Sequence, residues 1–216
     1  MEREPRAGAG VILQVAQLIP CTEAEGPGRR LALWFQGCPL RCPGCCNPEM
    51  LSFQGGQSVP AEEVIARMRE ARDQQTIEGI TLLGGEPLAH AAGGVLLAQT
   101  ARELRLTVMV FTGYTLEEAR GLPDPAIADL LAHTDILVDG PYLRELPETR
   151  RRWIGSANQR IHFLSDRYRA DDPCWQRPNT LEIRLANGEV TVNGFPAPRA
   201  VGLWKRPLVG AGARNP

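Results

Sequence analysis

The chain has 216 residues, of which 43% are hydrophobic and 23% charged, and its formal net charge is −1. That suits one soluble domain with a real core, or one domain with a small extension, and a charge so near zero excludes a global basic field for nucleic acid. No apolar run is long enough to cross a bilayer, and the polar start MEREPRAGAG is no secretory leader, so the expected location is cytoplasmic.

In chain order, residues 1–10 are expected to fray. VILQVAQLIP (11–20) reads as a first strand, and 21–30 as a turn broken by Gly26, Pro27 and Gly28. LALWFQG (31–37) is a nearly continuous apolar run, as in a strand buried on both faces. SVPAEEVIARMREARDQQ (58–75) reads as a helix started by Ser58 and Pro60, with Val64, Ile65, Met68 and Ala71 on its core face. Strands follow at 79–87, 105–114 and 135–142, with a fifth at 159–165. Helices are expected at 91–104 and 124–133, and TLEEAR (115–120) opens on a capping box of Thr115 and Glu118.

Strands alternating with helices from about 30 to 165 indicate an α/β fold with a parallel sheet. About five strands would make a partial (β/α) barrel with one open side and a laterally open cleft. In such sheets ligands gather at the C-terminal strand ends, where Cys38–Cys45, Gly84–Pro87, Thr112–Tyr114 and Asp139–Gly140 all fall. The tail is expected to be separate. Residues 11–165 are expected to form the core, and 166–216 an extension whose TLEIRLANGEVTVNGFP alternates about Asn187-Gly188 as a β-hairpin covering one sheet edge, ending in a disordered tail at VGAGARNP.

Four of the six cysteines crowd into WFQGCPLRCPGCCNPEM (34–50): Cys38, Cys42, Cys45 and Cys46. In a reducing compartment such a group reads as metal or redox ligands rather than disulfides. A structural zinc site takes four ligands, often as two separated pairs, and this chain has no second Cys-x-x-Cys and only isolated histidines (His90, His133, His162). Iron–sulfur clusters also normally take four thiolates. Three from one Cys-x3-Cys-x2-Cys loop leave one iron open, as a catalytic metal requires.

Cys38-Pro-Leu-Arg-Cys42-Pro-Gly-Cys45, with GGEP (84–87) one strand later, resembles the signature of the radical S-adenosylmethionine (SAM) superfamily. GPGRRLALWFQGCPLRCPGCCNPE, FTGYTLEE (111–118), DILVDGPY (135–142) and GSANQRI (155–161) narrow the resemblance to glycyl radical enzyme activating enzymes, nearest those of anaerobic ribonucleotide reductase. The resemblance implies a [4Fe–4S] cluster on Cys38, Cys42 and Cys45. It also implies reductive cleavage of SAM to a 5′-deoxyadenosyl radical, which takes a hydrogen atom from a glycine of a partner protein. The electron donor would be a low-potential flavodoxin or ferredoxin, and neither nucleic acid nor a membrane is an expected partner.

The same resemblance places Gly44 and Cys46 among the cofactor-binding residues. In its members the residue after the third cysteine is commonly aromatic or histidine and meets the adenine through its backbone. Cys46 is expected to do the same and not to be a fourth ligand, since adjacent side chains point apart. Gly84 and Gly85 let backbone approach a ligand closely, and their carbonyls, with the Glu86 carboxylate nearby, are expected to accept from the SAM ammonium. Thr112 and Asp139 are candidates for the methionine carboxylate or ribose hydroxyls. Cys21 and Cys174 are expected to be inert, His90 to start a helix, and the arginines of 144–169 to form a solvated face. The alternatives are a stand-alone radical SAM enzyme acting on a peptide or small metabolite, and a non-catalytic metal-cluster module. A neighbouring gene for a large glycyl radical protein would favour the first reading.

Overall fold

The computed structural model describes residues 10–186 and 189–195. The expected fraying of 1–9, the Asn187-Gly188 turn and the end of the chain from 196 lie outside the described residues. Strand β1 (Ile12–Thr22) precedes β2 (Arg30–Phe35), β3 (Gln57–Pro60), helix α1 (Ala61–Gln75), β4 (Gly79–Gly84), α2 (Ala91–Glu103) and β5 (Thr107–Phe111). Then come α3 (Leu116–Gly121), α4 (Pro125–Ala132), β6 (Ile136–Asp139), β7 (Arg160–Phe163) and a separate hairpin, β8 (Leu181–Ala186) and β9 (Glu189–Gly194).

The main sheet runs β3-β1-β2-β4-β5-β6-β7. Strands β2, β4, β5 and β6 are parallel neighbours, as the alternation of strand and helix implied. β1 and β3 are antiparallel to their neighbours on one side, and so is β7 on the other. The sheet is therefore mixed, with edges at β3 and β7. The fifth strand differs in direction from a βα repeat because residues 140–159 form a loop laced by side chains rather than a crossover helix, and a parallel strand needs the crossover.

The helix expected from residue 58 begins at Ala61. Val59 and Ser58 instead pair with Leu13 and Gln14, so strand pairing with a segment 40-odd residues earlier overrides the helical reading. Pro60 closes this edge strand, where a missing N–H costs no ladder bond. The Ala61 amide donates to Val11 O (2.9 Å).

One face of the sheet carries the helices. Leu31, Leu33, Phe35, Ile80, Leu82, Val108 and Val110 pack there against Val64, Met68, Leu97 and Leu130. The other face carries Ala32, Trp34 and Leu83 toward β1, and Met109, Ile136 and Val138 under Trp153 and Ile154. Burial on both faces is why these strands read as continuous apolar runs. Helix α2 keeps its glycines for packing: a Cβ on Gly93 would lie 2.2 Å from Leu13 Cδ2. The capping box of α3 is formed as read, with Glu118 N donating to Thr115 Oγ1 (3.2 Å) and Thr115 N to Glu118 Oε2 (2.8 Å).

The hairpin forms, and among the described residues its side-chain hydrogen bonds run to the β1–β2 connection. Its polar side chains face inward, with Glu182 and Asn193 on the β1–β2 connection, while Ile183, Leu185 and Val190 face solvent. No helix among the described residues is long and apolar enough to cross a membrane.

Candidate functional site

The cysteine loop leaves β2 at Phe35 and closes on its own far end. Gly37 N donates to Met50 O (2.9 Å) and Cys38 N to Leu51 O (3.1 Å), while the Gln36 amide spans to Glu49 O (3.1 Å) and Ser52 O (2.7 Å). Within the loop, Cys45 N donates to Cys42 O (3.2 Å) and Gly44 has φ +70°. Proline second and a positive-φ glycine third are what a type II turn asks of Cys42-Pro43-Gly44-Cys45. Gly44 thus shapes the turn that carries two of the thiols.

Cys38, Cys42 and Cys45 all line one pocket at the C-terminal ends of β2, β4, β5 and β6. The space between these loops is partly open to solvent. Burial pushes the Cys38 thiol up, against backbone hydrogen bonds from Arg41 and Leu40. The Cys45 thiol is brought down to about 6, first by a hydrogen bond from Cys46 and then by Asn47 N (3.4 Å), with burial opposing. Cys46 is exposed, and its thiol, as the donor, is pushed up. Among the described residues no three His, Cys, Asp or Glu side chains converge on a point that would hold a single metal ion.

Gly84, Gly85 and Glu86 line the same pocket. Gly85 N donates to Phe35 O (2.8 Å) and Glu86 N to Gly37 O (3.0 Å), stitching the end of β4 to the start of the cysteine loop. A Cβ on Gly85 would sit 2.2 Å from Gly37 O. The missing side chain thus makes room for neighbouring backbone. Glu86 is 1% exposed. Its Oε1 accepts from Leu88 N (2.9 Å) and the Thr112 hydroxyl (2.8 Å), and its Oε2 from Gly113 N (2.9 Å). The carboxylate ties the β4 loop to the β5 loop. Burial raises its carboxyl to about 7, with these hydrogen bonds opposing.

Thr112 lines the pocket; Asp139 and Gly44 do not. Asp139 is fully buried beneath α3. It accepts from Leu116 N (2.7 Å) and Arg160 (2.6 Å) and lies 2.9 Å from His162 Nε2. Burial alone would raise its carboxyl, but these donors outweigh burial and hold it below its ordinary value. Its neighbour Gly140 takes the place in the pocket wall.

Residues that sequence reasoning gave no role complete the wall. Gln159 donates to Gly140 O (3.1 Å) and accepts from Gly155 N (3.0 Å) and Ser156 N (3.1 Å), holding the loop that brings Gly155 and Tyr142 into the site. The GSANQRI resemblance was its one signal. Phe111 and Phe195 add two aromatic rings. His90 stays outside, its ring stacked on Phe35 at 4.9 Å. The arginines of 144–169 are mostly exposed, as expected, but Arg152 is buried at 9% exposure and lies over the Trp153 ring (4.0 Å), and the half-buried Arg151 donates to Gln159 O (2.6 Å) and Ala157 O (2.9 Å).

Residues 24–162 match a family model described as a 4Fe-4S single cluster domain. The anaerobic ribonucleoside-triphosphate reductase-activating protein of Vibrio cholerae is 32% identical over 68% of this chain and 95% of its own. Those of Haemophilus influenzae (33%; 68% and 95%) and Enterobacteria phage T4 (30%; 69% and 94%) are similar. Among solved structures, QueE from Escherichia coli overlays at a TM-score of 0.38, with 16% identity over 48% of this chain and 54% of that one.

Proposed function

This chain belongs to the family of anaerobic ribonucleoside-triphosphate reductase-activating proteins, and from that premise we propose that it cleaves SAM to generate a radical on a glycyl radical enzyme. It is an enzyme of the radical SAM oxidoreductase type, and its cofactors are a [4Fe–4S] cluster and SAM. Held by Cys38, Cys42 and Cys45, a reduced cluster would supply the single electron needed to cleave bound SAM, and the bound SAM would supply the means of removing a hydrogen atom from the substrate.

Cys38, Cys42 and Cys45 hold the cluster in this reading. The observation that carries it is their common position with Gly84–Glu86 and Thr112 around one pocket at the parallel strand ends. The type II turn presents two thiols from one loop, and Cys38, packed against β2, supplies the third. Backbone at Gly84 and Gly85 offers acceptors to the SAM ammonium, and Glu86 fixes the β5 loop that shapes the far wall. Cys46 meets the cofactor through its backbone while its thiol donates to Cys45. Asp139 acts on the site from behind, by holding the start of α3. The open sheet serves as a partial barrel, and the electron donor is a flavodoxin or ferredoxin.

The test is to incubate the reduced, reconstituted protein and SAM with a purified anaerobic ribonucleotide reductase, and to look for a carbon-centred radical by electron paramagnetic resonance. A signal lost with Cys38→Ala supports the reading. No signal, with SAM nevertheless cleaved, would move the substrate to a peptide or metabolite.

A further inference from the structure

The hairpin lies beyond the stretch that the family model matches, yet it reaches the pocket. Its polar face is fastened to the β1–β2 connection. Glu182 accepts from Thr22 Oγ1 (2.8 Å) and Glu23 N (2.7 Å), Asn193 donates to Thr22 Oγ1 (2.9 Å) and Glu25 Oε1 (3.2 Å), and Arg184 donates to Cys21 O (2.8 Å). Thr22, Glu25 and Asn193 are each buried, so this is an internal contact rather than a surface touch. Gly194 then turns the chain at φ +106°, where a Cβ would lie 2.2 Å from Thr180 O, and Phe195 N donates to that carbonyl (3.2 Å). The result is a Phe195 ring set against that of Phe111, the last residue of β5, with centroids 6.2 Å apart and planes 23° apart. Both rings line the pocket.

We propose that Phe195 is a cofactor-binding residue whose ring packs on the adenine of bound SAM, so that an appended hairpin builds part of the cofactor site. The inference rests on the cofactor reading above. SAM presents three kinds of surface: a charged amino-acid group, ribose hydroxyls and a planar purine. The thiol loop and the polar strand ends suit the first two. The Phe111–Phe195 pair offers the purine an apolar flat wall, the surface on which bases stack. Tyr142 is the third aromatic residue of the wall.

The test is the affinity of the reconstituted [4Fe–4S] protein for S-adenosylhomocysteine, measured by calorimetry for the wild type, Phe195→Leu, Phe195→Ala and Phe195→Trp. Leucine keeps the apolar volume and loses the planar face; tryptophan keeps the face. The expected result is binding weakened roughly 10- to 100-fold in the leucine and alanine variants and restored to within about threefold by tryptophan. Iron content and the thermal midpoint of the leucine variant should stay at wild-type values. Wild-type affinity in the leucine variant would overturn the proposal and make Phe195 core filler. A wild-type protein that carries its cluster but binds no S-adenosylhomocysteine would overturn the cofactor reading, and the proposal with it.

Discussion

Gly85→Ala tests how the site is built. Gly85 has no left-handed backbone to protect, so the substitution is purely a question of space. Its Cβ would lie 2.2 Å from Gly37 O, 2.7 Å from Gly37 C and 3.0 Å from Gly37 N, all backbone atoms that cannot swing aside. An ordinary carbon–oxygen contact requires about 1 Å more, so the end of β4 must part from the residue preceding Cys38. The bonds at risk are Gly85 N to Phe35 O and Glu86 N to Gly37 O. One lost hydrogen bond costs about 1 kcal/mol and overpacking about 1–3 kcal/mol. The sum is roughly 2–4 kcal/mol, or about 5–15 °C in thermal midpoint for a domain of this size. Urea unfolding of the cluster-free protein reads the first number and calorimetry the second. Gly121→Ala is the control. A Cβ there meets nothing within 4 Å, so alanine should be neutral or stabilising by up to about 1 kcal/mol. Were Gly85→Ala within about 0.5 kcal/mol of the wild type, the tight strand-end contact would be wrong.

Other outcomes follow from the buried acids and the cluster loop. Glu25 beside Asn193 has its carboxyl raised from 4.5 to about 7 by burial, with hydrogen bonds from Asn193 and Gly194 opposing. The folded chain therefore holds a proton that the unfolded chain releases, and stability falls as pH rises from 4.5 to about 7. Glu25→Gln should stabilise the protein at pH 8 by up to about 3 kcal/mol and leave it unchanged near pH 4.5; urea midpoints across that range that run parallel to wild type would contradict this. Asp139→Ala should cost about 1 kcal/mol or more by stranding the buried Leu116 N–H. Because the Asp139 carboxyl lies below its ordinary value, that deficit should shrink as pH falls below about 4. Thr112→Val removes one of three donors to Glu86 and should cost about 1 kcal/mol, read from the same urea curves.

The parallel centre was legible because LALWF, GITLL, TVMVF and ILVD are buried on both faces, so each shows as an unbroken apolar run. The thiol loop and the two glycines were legible because their chemistry is local: three cysteines and a Pro-Gly turn lie within eight residues. Partners distant in the chain were not. Ser58 and Val59 read as a helix start because nothing nearby names Leu13 and Gln14 as their neighbours. The direction of β7 escaped because alternation carries no sign. Glu86 and Asp139 were both read as acids facing a ligand. Which of them reaches the pocket depended on Gly113 N and Thr112 for one and on Leu116 N and Arg160 for the other. Phe195 had no signal, since a hairpin sequence does not say what its last residue will meet.

The central claim is SAM cleavage at a cluster on Cys38, Cys42 and Cys45. The most direct measurement is anaerobic: reconstitute iron and sulfide, reduce with dithionite, add SAM, and quantify 5′-deoxyadenosine by mass, with Cys42→Ala alongside. The account predicts deoxyadenosine from the wild type and none from the variant. A wild-type protein that assembles its cluster and leaves SAM intact would contradict it, and would make this chain a cluster carrier rather than a radical enzyme.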